Sequence, residues 1–111
     1  MICPVHNVGL APRPTRFGAL LVCPVPECDI RCSAGNDSTP ADRPTREARK
    51  TTYKLLERLK SAESPHRRRN LRSDLATFLD ISPRKCHVGR FDIKACASAV
   101  TWALARLRRI K

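Results

Sequence analysis

The spacing of apolar and polar residues divides the chain into a first part with short strand-like runs and a second part with helical periodicity. Residues 15–22 are mostly β-branched or apolar and predict a strand. Pro12 and Pro14 indicate an extended connection before it, and Gly18 is expected at a bulge or a close approach of backbones. With a return strand over residues 29–33, this part is expected to form a β-hairpin.

The first predicted helix covers residues 45–62, with Asp42 or Thr45 as its N-cap. Pro44 is tolerated there because the first turn of a helix does not use the N–H that proline lacks. Apolar side chains that recur every three or four residues lie on one face of a helix. Six positions form the expected buried face: Ala48, Thr52, Leu55, Leu56, Leu59 and Ala62.

A second helix is expected from Pro65 or His66 to Asp80. Its inward-facing residues are predicted from the same helical spacing. They are Leu71, Leu75, Phe78 and Leu79.

The segment that follows is expected to turn and then enter a third helix. Ser82 and Pro83 can start a short helical turn, Gly89 allows a positive φ, and Asp92 is a good N-cap for a helix over residues 93–110. That helix is apolar on two sides, so we expect it to be central. One side carries Ile93, Ala97, Val100, Leu104 and Leu107, and the other carries Ala95, Ala99 and Trp102.

These elements predict an α+β fold, in which a small N-terminal ribbon with a β-hairpin packs with a C-terminal body of about three helices. Residues 33–44 are small and polar with two prolines, and they are expected to be a linker. The predicted division gives residues 1–40 to the ribbon and the start of the linker, and residues 41–111 to a basic helical domain. A chain of 111 residues buries a modest core, so a metal would matter to its stability.

Cysteine and histidine residues occur in two short groups around the predicted hairpin. Cys3-Pro-Val-His6 resembles a knuckle, a tight turn that carries two metal ligands. The second turn is irregular, since four residues separate Cys23 from Cys28 and three more precede Cys32. Two such turns that meet at one tetrahedral ion make a zinc ribbon, so zinc is the expected cofactor. The favoured ligands are Cys3, His6, Cys23 and Cys28, with Cys32 as the alternative fourth ligand or a buried thiol.

Cys86, His87 and Cys96 suggest a second metal site or a Cys/His nucleophile. Adjacent residues do not normally face each other, and no acidic residue is placed to orient the histidine. We therefore expect a structural role, in which His87 bonds to the backbone and anchors its loop.

The positive charge is concentrated in the second part of the chain. The sequence has 22 Lys and Arg against 10 Asp and Glu, which gives a formal net charge of +12. Within residues 1–40 three arginines balance three acids, so residues 41–111 carry the whole excess. Such a density of cations favours polyanionic partners through counterion release.

Two groups of basic residues are the predicted nucleic-acid contacts. On the first helix, side chains four apart lie in a row that can follow a phosphate backbone, with a tyrosine available to stack. The first group is Arg46, Arg49, Lys50, Tyr53, Lys54 and Arg58. In the second predicted helix, a basic cluster in the first turns is unfavourable beside the positive end of the dipole unless an anion binds there. This group is Arg67, Arg68, Arg69 and Arg72.

Several of these segments together resemble a family of small zinc-finger-containing domains of unknown function from bacteria and phages. The resemblance rests on the N-terminal Cys/His knuckle, a Val-Cys-Pro second knuckle followed by Cys-Asp, the basic helical segment of residues 46–50, and the Cys-His-Val-Gly-Arg-Phe-Asp motif of residues 86–92 with Cys96 after it. It covers most of the chain, and the last motif is its more specific part. The family usually has Cys-x2-Cys in both knuckles, from which His6 and the longer second spacing depart. The resemblance implies a zinc ribbon packed with helices and a phage or bacterial origin, and it supplies no activity.

The leading functional hypothesis is zinc-stabilised binding of DNA or RNA, mainly through the phosphate backbone. No homeodomain, classical-finger or RNP-type signature supports sequence-specific readout. The alternative is a phage-encoded interaction module that binds and modulates a host transcription, replication or defence protein.

An enzyme is not expected, because the acids are scattered, no Gly-rich phosphate loop is present, and four protein ligands would close the zinc to water. A small-molecule substrate is not expected either. No apolar run reaches the roughly 18 to 20 residues that span a bilayer, and the N-terminus has no secretory pattern. We therefore predict a cytoplasmic protein with no membrane partner, in which cysteines stay reduced.

Overall fold

The chain forms a small antiparallel sheet followed by a body of helices. The computed structural model describes residues 1–16, 18–34 and 38–110. The sheet has the order β1-β2-β3, with β1 at Ala11–Thr15, β2 at Gly18–Val22 and β3 at Arg31–Ser33. The helices are α1 (Arg43–Ala62), α2 (Pro65–Arg68), α3 (Leu71–Leu79) and α4 (Ile93–Arg109), with 3-10 turns at Pro83–Lys85 and Val88–Arg90. The predicted α+β fold is therefore confirmed.

The first strand contains the two prolines that the sequence assigned to an extended connection. β1 pairs antiparallel with β2, from Ala11 opposite Val22 to Thr15 opposite Gly18. Proline is accommodated because β1 is an edge strand, where an N–H that faces solvent is not needed for the ladder. The predicted single strand over residues 15–22 is wrong, since it contains the end of β1, a turn and β2; residue 17 lies outside the described residues.

Gly18 is needed for the backbone conformation of the hairpin turn and not because another part of the backbone lies close to it. Its φ is +112°, a region that side chains with a Cβ rarely adopt, and no atom lies within 4 Å of the place where a Cβ would stand. The backbone conformation, and not a lack of space, therefore requires glycine at the start of β2.

The predicted linker, residues 33–44, makes backbone hydrogen bonds to β3 and to the loop after α3. Its residues 35–37 lie outside the described part. Arg31 and Ala41 exchange two backbone hydrogen bonds of 3.1 Å, which continue the ladder beyond β3. Thr39 donates its N–H to the carbonyl of Gly89 at 2.9 Å. The division of the chain at residue 40 stays a prediction.

The first helix begins two residues earlier than predicted. Asp42 is its N-cap and accepts a 3.0 Å hydrogen bond from the N–H of Thr45. Thr52 and Leu59 are almost completely buried, as the spacing predicted, whereas Ala62 is exposed. Glu63 follows the last residue of the helix as its C-cap, and its side chain is buried.

The second predicted helix is two helices, α2 and α3, separated at Arg69 and Asn70. Ser64 caps α2 through a 3.4 Å hydrogen bond from the N–H of Arg67. In α3, Leu75 and Ala76 are buried, but the prediction that Phe78 faces inwards is wrong, since it is 52% exposed. Leu71 and Leu79 are half-buried, so the rest of the expected face is turned inwards, and α3 packs on α4.

The last helix is central, and of its two predicted apolar sides the one with Ala95, Ala99 and Trp102 packs in the core. Asp92 caps it with a 2.7 Å hydrogen bond from the N–H of Ala95, as predicted. The buried residues are Cys96, Ala99 and Ala103. These small side chains are buried because they let α4 pack closely against α1. The distance between two helix axes depends on the size of the residues at the contact. The prediction was wrong for three residues that the structure leaves exposed: Ile93, Ala97 and Leu104.

A buried ion pair joins the helices below this core. The side chain of Glu63 is only 2% exposed, and a buried carboxylate is costly unless it is paired. Arg106 lies 3.6 Å from Glu63 and 2.9 Å from Asp74, and its guanidinium lies 5.1 Å from the ring centre of Trp102. One side chain of α4 thus connects the end of α1 to α3.

Gly89 is required for space and not for the positive φ that the sequence suggested. A Cβ at this position would stand 2.6 Å from Oγ of Ser38 and 3.2 Å from Nδ1 of His87. The loop after α3 therefore packs directly on the segment that precedes α1. None of the helices in the described ranges is long and apolar enough to cross a bilayer.

Gly89→Ala is expected to lower the free energy of unfolding by about 1 to 3 kcal/mol, because the new methyl group overlaps Ser38. Gly9→Ala is the matched control, since no atom lies within 4 Å of its Cβ position. Thermal unfolding of the two zinc-loaded variants measures the difference. Equal melting temperatures would show that the segment before α1 moves away from Gly89 at no cost.

Candidate metal centre and basic groove

The first pair of ligands lies on a tight turn at the N-terminus. Cys3 donates its N–H to the carbonyl of Val8, and Asn7 donates its N–H to the carbonyl of Cys3, both at 2.8 Å. Asn7 has a φ of +54°, which asparagine tolerates better than most residues. A β-bridge between Ile2 and Gly9 closes the base of the turn. Cys3 and His6 are thereby held on the same side of the chain.

The second pair lies on the loop between β2 and β3. Cys23 donates its N–H to the carbonyl of Ile30 at 3.1 Å, and Cys28 donates to the carbonyl of Val25 at 3.2 Å. Glu27 has a φ of +67°, and this left-handed residue turns the chain just before Cys28. The irregular spacing of four residues is thus accommodated inside the loop.

The four predicted ligands lie together with distances that suit a tetrahedral ion. Sγ of Cys3 lies 3.8 Å from Sγ of Cys28, and Nδ1 of His6 lies 3.7 Å from Sγ of Cys3 and 3.6 Å from Sγ of Cys23. All four ligand atoms lie within 4.8 Å of one another. Tetrahedral zinc with ordinary bond lengths requires sulfur atoms about 3.8 Å apart and sulfur to nitrogen distances of about 3.5 Å. The donor set of three thiols and one imidazole therefore fits zinc.

The electrostatics of the site also suit a cation. Burial opposes ionisation of Cys3, but the backbone N–H groups of His6 and Val5 favour the thiolate and lower the pKa of Cys3 to about 6. Burial raises the pKa of Cys23 to about 11, and the neighbouring sulfur atoms of Cys28 and Cys3 add to this. Several thiolates are stable side by side only when a metal ion shares their charge.

Cys32 lies apart from this cluster. It is buried in β3, and its Sγ donates a 3.5 Å hydrogen bond to Sδ of Met1. Burial raises the pKa of its thiol. Of the two roles predicted for Cys32, the structure shows the buried thiol.

The second cysteine and histidine group forms no metal cluster among the described residues. Cys86 and Cys96 are both buried in the helical core, and burial raises the pKa of each thiol. Nδ1 of His87 accepts a 3.2 Å hydrogen bond from the N–H of Gly89. His87 thus bonds to the backbone of its own loop, as predicted.

Half of the predicted nucleic-acid residues line one groove, which we call the basic groove. It has a volume of about 640 Å³ and lies between β3, α1 and the loop after α3. The predicted residues in its lining are Arg46, Arg49, Lys50, Tyr53 and Arg72. The sequence analysis missed Arg31 and His87, which also line it, because β3 and the loop meet α1 only in the folded chain.

Two of these arginines are also part of the fold. Arg46 donates from Nη1 to the carbonyls of Asp29 and Ala41, the second at 2.8 Å. Arg49 donates to the carbonyl of Phe91 and to the carbonyl and hydroxyl of Thr39, each at 2.8 Å. Burial lowers the pKa of both guanidinium groups. They hold the walls of the basic groove together as well as giving it charge.

The other predicted contacts lie outside the basic groove. Lys54 and Arg58 are exposed on α1, and Arg67 is exposed on α2. Arg68 and Arg69 border, with Arg72, a second depression of about 240 Å³. Arg68 also donates from Nη2 to the carbonyl of Glu63 at 3.2 Å, at the end of α1.

The dipole argument for the Arg67 to Arg69 cluster was wrong. The argument assumed one helix from residue 65 to residue 80, but Arg67 and Arg68 lie in α2, which has a single turn, and Arg69 follows it. A helix of one turn has only a small dipole, so this cluster gives no reason to expect a bound anion.

No protein family model, no curated protein and no solved structure matches this chain. The resemblance to small zinc-finger-containing domains therefore stays a prediction.

Cys28→Ser is expected to remove or strongly weaken zinc binding, because it replaces one of four thiolate or imidazole ligands. Cys32→Ser is the matched control, a nearby cysteine outside the cluster, and it is expected to keep one zinc per chain. Zinc content after purification and competition with a chelator measure both. Full zinc retention by Cys28→Ser, or zinc loss from Cys32→Ser, would contradict the ligand set.

Proposed function

We propose that this protein is a zinc-stabilised nucleic-acid-binding module that contacts DNA or RNA mainly through the phosphate backbone. The observation that carries the proposal is the basic groove, where cations from three separate elements converge. Arg31 comes from β3, Lys50 from α1 and Arg72 from α3. A concave site with cations on opposite walls raises the local concentration of a polyanion.

Zinc has a structural role in this proposal. Cys3, His6, Cys23 and Cys28 would hold it, and the ion would connect the N-terminal turn to the β2–β3 loop. The buried cluster in this part of the chain is small, with Cys3, Cys23 and Ile30 at its centre. A metal therefore supplies stability that so small a core does not. β3, which carries Arg31, depends on the same sheet.

The basic groove has hydrogen-bond donors available for phosphate. Arg72 donates its Nε–H to the carbonyl of Cys86 at 3.2 Å, and its two terminal NH2 groups make no further hydrogen bond within the described residues. Lys50 is exposed on the next wall. Glu57 is the one acid among the described residues that line the basic groove, so the cations there are only partly neutralised.

The double variant Lys50→Gln/Arg72→Gln is expected to weaken binding to labelled oligonucleotides by at least about tenfold. The slope of log K against log salt should fall by about two, one for each lost phosphate contact. Lys94→Gln/Arg108→Gln is the control, because it removes the same charge from exposed positions outside the basic groove. Fluorescence anisotropy from low to physiological salt measures both, after thermal unfolding has shown that both variants are folded.

Equal losses in the two double variants would show that only the net charge matters and that the basic groove is not the contact. Absence of binding by the wild-type protein near physiological salt would contradict nucleic-acid binding altogether.

A substitution of the opposite sign gives a second test. Glu57→Gln removes the acid from the basic groove and is expected to tighten binding a few-fold at low salt, because it removes repulsion of phosphate. The same anisotropy titration measures it. Weaker binding by Glu57→Gln would show that the carboxylate contacts the ligand or holds the groove in shape.

The alternative function, binding to a protein partner, is favoured by a different surface. Ile93 is 50% exposed and Leu104 is 40% exposed on α4. Exposed apolar residues on one helix are where a protein partner would bury area. The absence of an enzymatic activity stays a prediction.

A further inference from the structure

We propose that the basic groove takes a single strand of nucleic acid, with a base stacked on Tyr53 and the flanking phosphates held by Lys50, Arg72 and Arg31. This rests on the proposed function and specifies its ligand. The inference is drawn from the shape of the basic groove, the exposure of one aromatic ring and the placement of hydrogen-bond donors around it.

The shape of the basic groove favours a strand over a duplex. Its volume of about 640 Å³ falls within the roughly 300 to 1,000 Å³ of sites that enclose a small ligand. Proteins that read the major groove of duplex DNA insert a convex element, a helix or a β-ribbon, into it. A concave groove on the protein instead admits a flexible chain whose bases are free.

Tyr53 offers a stacking surface inside this concavity. Its side chain is 57% exposed even though it lines the basic groove, so packing of the core does not account for its position. Leu56 and Val88 line the same groove and supply apolar surface beside the ring. Nonspecific single-strand sites combine a basic track with an aromatic platform, because every base has a face that stacks.

Donors stand on more than one side of the tyrosine. Lys50 precedes Tyr53 by three residues on α1, so the two side chains are neighbours on the helix surface. Arg72 approaches from α3 and Arg31 from β3. A strand whose base lies on Tyr53 would therefore have cations near the phosphates on either side.

His87 adds a further donor to the same lining. Its Nδ1 accepts the N–H of Gly89, so in the neutral ring the proton is on Nε2. An Nε2–H group in a groove lined by arginines is suited to a phosphate oxygen or to an acceptor on a base. Its loop is held in place by Arg49 and Arg72, which donate to the carbonyls of Phe91 and Cys86.

The experiment compares labelled single-stranded DNA, single-stranded RNA and duplex DNA of equal length, by anisotropy at one near-physiological salt concentration. The wild-type protein should bind at least one of the single strands more tightly than the duplex. Tyr53→Leu should weaken single-strand binding by about 5-fold to 150-fold, the range for loss of one stacked base. Tyr53→Phe, which keeps the ring, should stay within about threefold of the wild type.

Phe78→Leu is the matched control, since Phe78 is an aromatic residue with 52% exposure on α3 and it does not line the basic groove. It should leave binding unchanged. The salt slope of Tyr53→Leu should equal that of the wild type, because no charge is removed.

The outcomes separate the two proposals. Duplex bound at least as tightly as both single strands, or Tyr53→Leu that binds single strands as well as Tyr53→Phe does, would overturn the single-strand inference and leave nucleic-acid binding in place. Absence of binding to all three probes would overturn the proposed function itself.

Discussion

Two arginines of α1 hold the sheet and the helical body together, and they do so through carbonyl groups. Arg46 bonds to Asp29 and Ala41, while Arg49 bonds to Thr39 and Phe91. A carbonyl satisfies an N–H donor without cancelling the charge of the guanidinium, as a carboxylate would. The contact between the sheet and the helical body therefore keeps its positive charge, and the basic groove runs along this contact.

The candidate metal centre is a second link, which joins the N-terminal turn to the loop that leads into β3. Cys3 and His6 come from the N-terminal turn, and Cys23 and Cys28 come from the loop between β2 and β3. The three short strands bury little apolar surface, so a shared ion would fix the loop from which β3 emerges. In the proposed function, the ion would supply stability and the basic groove would supply binding.

Local signals in the sequence were enough for the features that depend on near neighbours. The favoured ligand set, the Asp92 cap and the extent of α1 to within two residues follow from the spacing of ligands, caps and apolar positions. The prolines of β1 were misleading, because an edge strand tolerates a missing N–H and its exposure depends on where the other strands lie. The break between α2 and α3 has no proline or glycine at Arg69 and Asn70, and its one local signal was Asn70, a preferred N-cap residue that the sequence analysis did not use.

Packing between distant segments decided the rest. The face of α4 that is buried is the one with small side chains, because close contact with α1 outweighs the larger apolar residues on the other side. Gly89 was recognised as special, but the reason, contact with Ser38, exists only once the loop meets the segment before α1. The basic groove could not be predicted from the sequence for the same reason, because Arg31, Tyr53 and Arg72 come from three elements that are far apart in sequence.

The most direct measurement is a titration of isotope-labelled, zinc-loaded protein with a short unlabelled single-stranded oligonucleotide, followed through the backbone amide signals in NMR spectra. The expected result is that the shifts that change most belong to residues around the basic groove, among them Lys50, Tyr53, Arg72, His87 and Gly89, while β1 and the exposed face of α4 stay unchanged. Shifts that change mainly along α4 or around Arg67 to Arg69, with the basic groove unaffected, would contradict the assignment of the binding site.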